Sequence, residues 1–384
     1  MREFTKQFLL AGFITLYALS ARAQIPIVPD WSYDQANDVG FFDPAASPVA
    51  GYGSIGELRR TIFAAGANYV GSLFTPAYAG EVIRVKAAFT NLGTGTVGNG
   101  GTIGYRNNFG SANPKYKTNV DYPSTLANHV AGRELIATNT LAVNFNTNPA
   151  ITYNYNTNDS APLGEGQESL FTTVVHELIH GMCFINYINP GTGSFDGFPT
   201  AYDSFIVQDT NNPVSYVGLT DAERLVAITN NNLFWNGPLG IAGNNGERPK
   251  LAAPSSYSSS SSVSHLDTGT FDPLGLLLLP RDSSLVQAQV GLVALERGML
   301  YDMGFTPARP QVQSIVASGG NHVITATSIL NAKYRLRFTS TLTNGLNATN
   351  WSAVGGAVRS GWNTVTLTNT PTGSAGFYAV EIVP

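Results

Sequence analysis

A single cysteine, Cys183, stands in 384 residues. No disulfide can close within the chain, so the fold rests on packing, with or without the help of a metal ion. Charge is scarce too: 12% of the residues are Asp, Glu, Lys or Arg, about half of the roughly 25% usual in soluble domains. Neither sign dominates, with 21 basic against 25 acidic residues and a net charge of −4. So balanced a chain has no electrostatic footprint for nucleic acid or for an anionic membrane surface, and nucleic acid drops out as a partner. Long apolar runs are also missing. Phe8 to Leu19 (FLLAGFITLYAL) falls short of the roughly 20 residues that span a bilayer, and Leu274–Pro280 (LGLLLLP) is shorter still. Glycine, 40 residues of it, fills the space together with Asn, Ser and Thr, a composition suited to turns and short strands. With 43% apolar and 11% aromatic residues, the chain has ample material for a core.

Arg2 and Lys6 precede the Phe8–Leu19 run, and Ala21-Arg22-Ala23 follows it. A basic start, a short apolar stretch and small residues two apart are the parts of a secretory signal peptide. Cleavage is expected after Ala23, giving a signal peptide over 1–23. The mature protein is then expected without a transmembrane segment, secreted to the extracellular space, the periplasm or the cell surface. Residues 24–50 carry no pattern that decides between a pro-segment and a part of the core.

Ile55, Leu58, Ile62, Ala65, Tyr69 and Leu73 fall at helical spacing behind Ser54, a good N-cap, and predict a long amphipathic helix. Glu81–Thr90 (EVIRVKAAFT) alternates and predicts a half-buried strand, and Leu141–Asn146 (LAVNFN) a second one. The glycines between 93 and 104 lack the Lys-Ser/Thr of a phosphate loop and read as a surface loop. Further helices are predicted over 168–187, from Asp221, and over 284–303, while 201–208 is open between helix and strand. Ser255–Ser264 (SSYSSSSSVS) has the composition of a linker. Past Pro307 and Pro310, short alternating segments such as YRLRF from Tyr334 and TVTLT from Thr364 predict a small sandwich-like β module over 310–384. That module is basic, with Lys333, Arg335, Arg337 and Arg359 against Glu381 alone, whereas the rest of the chain is acidic. The expected class is α+β: a main domain over 24–307 followed by an all-β module.

The helix predicted over 168–187 carries His176-Glu177-Leu178-Ile179-His180. Residues four apart lie on one helix face, with Cβ atoms about 5–6 Å apart, so two imidazoles can converge on one ion. Glu177 projects beside them. In such a site the carboxylate takes the proton of a water whose pKa the metal has lowered, then passes it to a leaving amine. A face flanked by Val174, Val175, Ile179 and Met182 gains nothing from three ionisable groups it must desolvate, unless they have such a task. Zinc, Zn2+, is the expected cofactor. Structural calcium, Ca2+, is left open, since Asp34, Asp38, Asp43, Asp196 and Asp203 lack the spacing of a calcium loop.

Catalytic zinc sites usually take three protein ligands and keep a fourth position for water or substrate. Of the remaining histidines, His265 is favoured as the third ligand: it follows the serine tract, whose extended approach can fold back over a cleft. Glu223 is the carboxylate alternative. His129 reads as a local polar contact and His322 as a surface histidine of the β module. Asp267, two residues past His265, is open between orienting a ligand loop and an ordinary turn. Cys183 reads as a small buried residue. Tyr202 and Tyr257 are available as donors to an oxyanion, with neither singled out among 17 tyrosines.

The stretch HELIHGMCF resembles the zinc-peptidase helix H-E-x-x-H-[AG]-x-G-F of leishmanolysin-like peptidases and related secreted bacterial enzymes of the metzincin clan. ELRRTIFAAGANYVGSLF with its following strand, Tyr202-Asp203-Ser204-Phe205, and ALERGMLYDMGF up to Phe305 are similar to recurring elements of their catalytic domains. The likeness runs over roughly 50–306. It implies a zincin-like catalytic domain with zinc on His176, His180 and a distant third histidine, where His265 fits, and Glu177 as general base. Two departures stand out. Cys183 and Asn186 occupy the glycine and third-histidine positions of the compact pattern H-E-x-x-H-x-x-G-x-x-H. Where the clan places a methionine under the metal, this chain has Leu276–Leu279 before Pro280, with Met299 and Met303 as the only later methionines.

The expected function is that of a secreted zinc metalloendopeptidase acting on proteins or peptides, its β module holding a polysaccharide or a cell-surface ligand. The alternative is an extracellular adhesion or carbohydrate-binding protein whose zinc site is structural or degenerate.

Overall fold

The computed structural model describes residues 24–157, 163–271, 276, 278–279, 291–329, 332–340, 351–360, 364–370 and 376–383. The expected signal peptide, the first part of the helix expected over 284–303, and Leu274, Gly275, Leu277 and Pro280 lie outside them. Strand β1 (Ile27–Asp30) leads through the short helix α1 (Ser32–Asn37) into the long helix α2 (Ile55–Ser72), whose N-cap Ser54 accepts a hydrogen bond from the Glu57 N–H. Then come β2 (Ile83–Thr90), β3 (Gly98–Thr102), the two-residue strands β4 (Tyr105–Arg106) and β5 (Tyr122–Pro123), helix α3 (Ser124–Ala131), β6 (Leu141–Asn146), β7 (Thr152–Asn154), β8 (Gln167–Ser169) and helix α4 (Leu170–Met182). The protein is of mixed α+β class.

The first sheet has the order β1-β2-β6-β3, with β1, β2 and β6 parallel and β3 antiparallel to β6 at the edge. The glycine stretch expected as a surface loop is therefore partly a strand. Its lack of side chains answers a packing need: a Cβ on Gly100 would lie 2.1 Å from the backbone oxygen of Glu177, and one on Gly98 would lie 2.8 Å from Thr173 Cγ2. Helix α4 thus passes directly against β3. On its other side α2 crosses it, where a Cβ on Gly66 would lie 2.7 Å from Val174 Cγ1. Every residue of α4 is buried, as a helix clamped between a sheet and a second helix has to be.

Part of residues 24–50 packs into this core. Ile25 and Phe41 are fully buried, and β1 pairs with β2. The Phe41 ring meets those of Phe63, Phe89 and Phe145 at centroid distances of 5.5, 5.0 and 5.9 Å. Buried Asp34 accepts from the backbone N–H of Phe41 at 2.8 Å and of Phe89 at 3.1 Å, although burial raises its pKa. This segment thus supplies a strand and an aromatic anchor to the fold.

Beyond α4 lie β9 (Ile206–Gln208), β10 (Val214–Ser215), helix α5 (Asp221–Ala227), β11 (Leu233–Trp235), helix α6 (Pro238–Gly243), β12 (Lys250–Leu251), helix α7 (Thr268–Phe271) and helix α8 (Ala294–Met303). Segment 201–208, open in sequence, resolves into a 3-10 turn over Asp203–Phe205 and then β9. Two helices are shorter than expected. Gln167–Ser169 is strand rather than helix, so α4 starts at Leu170 and ends at Met182. Helix α8 begins at Ala294, where the buried Glu296 carboxylate holds the N–H groups of Val293 and Leu278.

Six strands follow: β13 (Val312–Ser318), β14 (Asn321–Thr327), β15 (Lys333–Thr339), β16 (Ser352–Arg359), β17 (Thr364–Asn369) and β18 (Phe377–Val383). They form two antiparallel sheets, β13-β14-β17 and β16-β15-β18, which among the described residues pair with no other strand. Ile324, Ala326, Tyr334, Leu336, Val365 and Leu367 are buried here by strand alternation.

Candidate metal centre

Helix α4 starts where Ser169 accepts from the Thr172 N–H at 3.2 Å, and about two turns later it presents His176 and, one turn on, His180 on one face. The third histidine comes from a loop that the sequence suggested was a linker. Ser262 N–H donates to Ser258 O at 2.8 Å and Ser258 N–H to Ser262 Oγ at 2.9 Å, so the tract is a folded turn. Val263 N–H donates to Ala252 O at 2.6 Å, Ala252 N–H to His265 O at 2.9 Å, and Leu266 N–H to Leu278 O at 3.0 Å. These bonds stitch the turn to β12 on one side and to the leucine run on the other.

The three imidazoles meet. His176 Nε2 lies 3.0 Å from His180 Nε2 and 3.2 Å from His265 Nε2, and the last two are 3.1 Å apart. All three residues are buried, and they are the one cluster of three or more His, Cys, Asp or Glu side chains, among the described residues, close enough to hold a metal ion. The other ring nitrogens settle what this means. His180 Nδ1 faces Phe184 O at 2.7 Å and His265 Nδ1 faces Ser261 O at 3.2 Å. A carbonyl only accepts, so both Nδ1 atoms carry the proton and both Nε2 atoms present lone pairs. Burial keeps these rings neutral: it lowers the His180 pKa to about 4, and that of His265 well below its ordinary value, with help from the two neighbouring histidines. Two lone pairs facing each other at 3.1 Å repel, and a cation between them turns the repulsion into ligation. A tetrahedral ion about 2.0–2.1 Å from each nitrogen spaces its ligand atoms about 3.3 Å apart, close to the arrangement seen. The donor set therefore fits a metal.

Glu177 is buried beside the pair, with its Oε1 3.0 Å from where a Cβ on Gly98 would stand. The general base expected from the sequence thus lies between the metal helix and the edge strand. Sequence reasoning missed β3 as a wall of this site. The every-second-residue spacing of Gly98 and Gly100 was the available signal.

The remaining candidates are elsewhere. Glu223, the alternative third ligand, closes a capping box at the start of α5: its Oε2 accepts from the N–H and hydroxyl of Thr220 at 2.7 and 2.8 Å. His129 is more than a local contact, since it bridges Glu81 Oε1 at 2.8 Å and Thr306 across 177 positions of sequence. His322 contacts Tyr378 Oη at 2.8 Å in the C-terminal strands. Asp267 accepts from Thr270 and lies 3.6 Å from Lys250 Nζ, the ordinary turn carboxylate of its two readings. Cys183 is buried and its thiol pKa is pushed up accordingly. Met299 and Met303 are core residues of α8.

Tyr202 cannot serve as an oxyanion donor, because its phenol is already committed to Val263 O at 2.7 Å. Val263 has a φ of +68°, which in a β-branched residue costs on the order of 1–3 kcal/mol. Asp203, next to Tyr202, takes hydrogen bonds from Asn186 Nδ2, from Thr200 N–H and from the Thr200 hydroxyl. Asn186, where the compact metzincin pattern has its third histidine, is thus a fastener of the turn after α4.

Compared with known proteins, the chain matches no family model, no curated protein and no solved structure.

Proposed function

We propose that this protein is a zinc-dependent endopeptidase with a zincin-like catalytic domain. One observation carries the reading: three imidazoles, two of them fixed in the ligating tautomer, converge through Nε2 beside a buried glutamate on the same helix. A zinc ion held by His176, His180 and His265 supplies a Lewis acid that polarises a peptide carbonyl and acidifies water.

The chain's own groups do the rest. The Phe184 and Ser261 carbonyls orient two of the ligand rings and raise their basicity. Glu177, next to His176 in the chain, accepts the proton of the attacking water and returns it to the departing amine. Antiparallel β3, bonded to β6 along one edge, packs against helix α4 beside Glu177. Export belongs to the same proposal, with the chain beginning at Gln24 after signal cleavage. Among the described residues no helix is long and apolar enough to cross a membrane.

Purified protein and its Glu177→Ala variant, assayed on unfolded casein or gelatin with zinc content measured in parallel, test the reading. Hydrolysis by the native chain and its loss in a variant that keeps zinc are expected. Equal inactivity of both, with zinc bound in both, refutes the enzyme and favours a structural site.

A further inference from the structure

Helix α4 carries two of the metal ligands, but the third is delivered by a turn whose backbone is strained. Val263, two residues before His265, sits in the left-handed region at φ +68° and is fully buried. A β-branched residue does not rest there unaided, because its Cβ crowds the neighbouring carbonyl. Two hydrogen bonds hold it: its N–H donates to Ala252 O at 2.6 Å and its carbonyl accepts from Tyr202 Oη at 2.7 Å. The first belongs to the pairing with the segment after β12. The second comes from a single side chain across the site.

Tyr202 is itself immobilised. It is fully buried, with its ring 4.6 Å from that of Phe184 and 5.2 Å from that of Trp235. Phe184 is the residue whose carbonyl accepts the Nδ1–H of His180. One tyrosine therefore packs on the turn that orients His180 and hydrogen-bonds the turn that delivers His265.

We propose that Tyr202 is a positioning residue of the metal centre: its phenol holds Val263 in the left-handed conformation that aims His265 at the Nε2 atoms of His176 and His180. This rests on the metal-site reading above. Its consequence is specific. The phenol is needed because position 263 is valine; glycine reaches the same conformation without strain and has no such need.

Metal-free protein titrated with cobalt(II), followed by the visible absorbance of the bound ion and by zinc competition, tests this without any turnover. Tyr202→Phe is expected to weaken metal affinity about 10-fold or more, in the range seen when groups that orient ligands are removed. Val263→Gly is expected to bind within about threefold of the native protein, and Tyr202→Phe in that background to lose no more than a further threefold. Thermal melts of the metal-free forms run alongside. Both phenylalanine variants lose the same buried hydrogen bond and should lose similar stability, so an affinity loss in one background alone cannot be a general weakening of the fold. Equal affinity loss in both backgrounds, native affinity in Tyr202→Phe, or a double variant that fails to fold overturns the assignment. A native protein that binds no cobalt overturns the metal reading itself, a different result from native binding with an indifferent Tyr202.

Discussion

Gly100 and Gly101 are neighbours in β3 and face opposite sides of the sheet. A methyl group on Gly101 meets nothing within 4 Å, whereas one on Gly100 lies 2.1 Å from the Glu177 carbonyl oxygen and 2.7 Å from its carbonyl carbon. Ordinary contact begins near 3.4 Å, so Gly100→Ala forces β3 and α4 apart by about 1 Å, and overpacking of this kind costs about 1–3 kcal/mol. Gly101→Ala has no such clash and removes freedom from the unfolded chain, a gain of about 0.4–1 kcal/mol where the backbone permits. The two variants add the same single methyl group to the same strand, so the difference between them reports the packing alone. Urea unfolding should separate them by about 1.5–4 kcal/mol. Activity should separate further, because the displaced residue is the proposed general base, and a misplacement of about 1 Å at reacting atoms can cost on the order of 100-fold. Zinc content should hold in Gly101→Ala. If Gly100→Ala matches Gly101→Ala in urea midpoint and in casein hydrolysis, β3 does not pack on the metal helix as described.

His265→Ala should abolish the zinc-dependent rise in melting temperature; at a metal concentration 1,000-fold above Kd that rise corresponds to about 4 kcal/mol, and an unchanged rise in differential scanning fluorimetry places the third ligand elsewhere. Glu223→Gln should leave zinc content and activity unchanged and loosen only the capping box of α5; a fall in bound zinc would restore it as a ligand. Burial raises the Asp203 pKa to about 6, so the folded chain holds that proton more tightly than the unfolded chain between pH 4 and 6. This group's contribution is full below pH 4 and is lost as pH rises through 6, by about 3 kcal/mol. Urea midpoints of native protein and Asp203→Asn should therefore diverge between pH 4 and 7.5, the native chain losing ground, and parallel curves would refute it.

Local regularities were legible without a structure. The helix of Ile55–Ser72 is written in a serine cap and in apolar spacing, and the β2 strand in the alternation of Ile83, Arg84, Val85, Lys86 and Ala87. The His176–Glu177–His180 face needs only the pitch of a helix, which one turn of chain determines. Where local pattern fails, the misreading has a physical source. Gly98–Thr102 carries no apolar alternation because its inward positions lie against the buried helix α4, and the spacing of Gly98 and Gly100 is the one local sign of that close approach. The serine tract has the composition of a linker; its own Ser258–Ser262 bonds close a turn, and the bonds of Val263 to Ala252 and of Leu266 to Leu278 fix where that turn sits.

The chain alone dictated the chemistry on offer: two imidazoles and a carboxylate on one helix face, and a composition with no other means of stapling the fold. Tertiary structure decided which of three distant histidines completes the set. That choice depends on the convergence of β12, the strained Val263 and the Tyr202 phenol across 85 positions from His180 to His265, and no pattern confined to one segment encodes a meeting between segments so far apart.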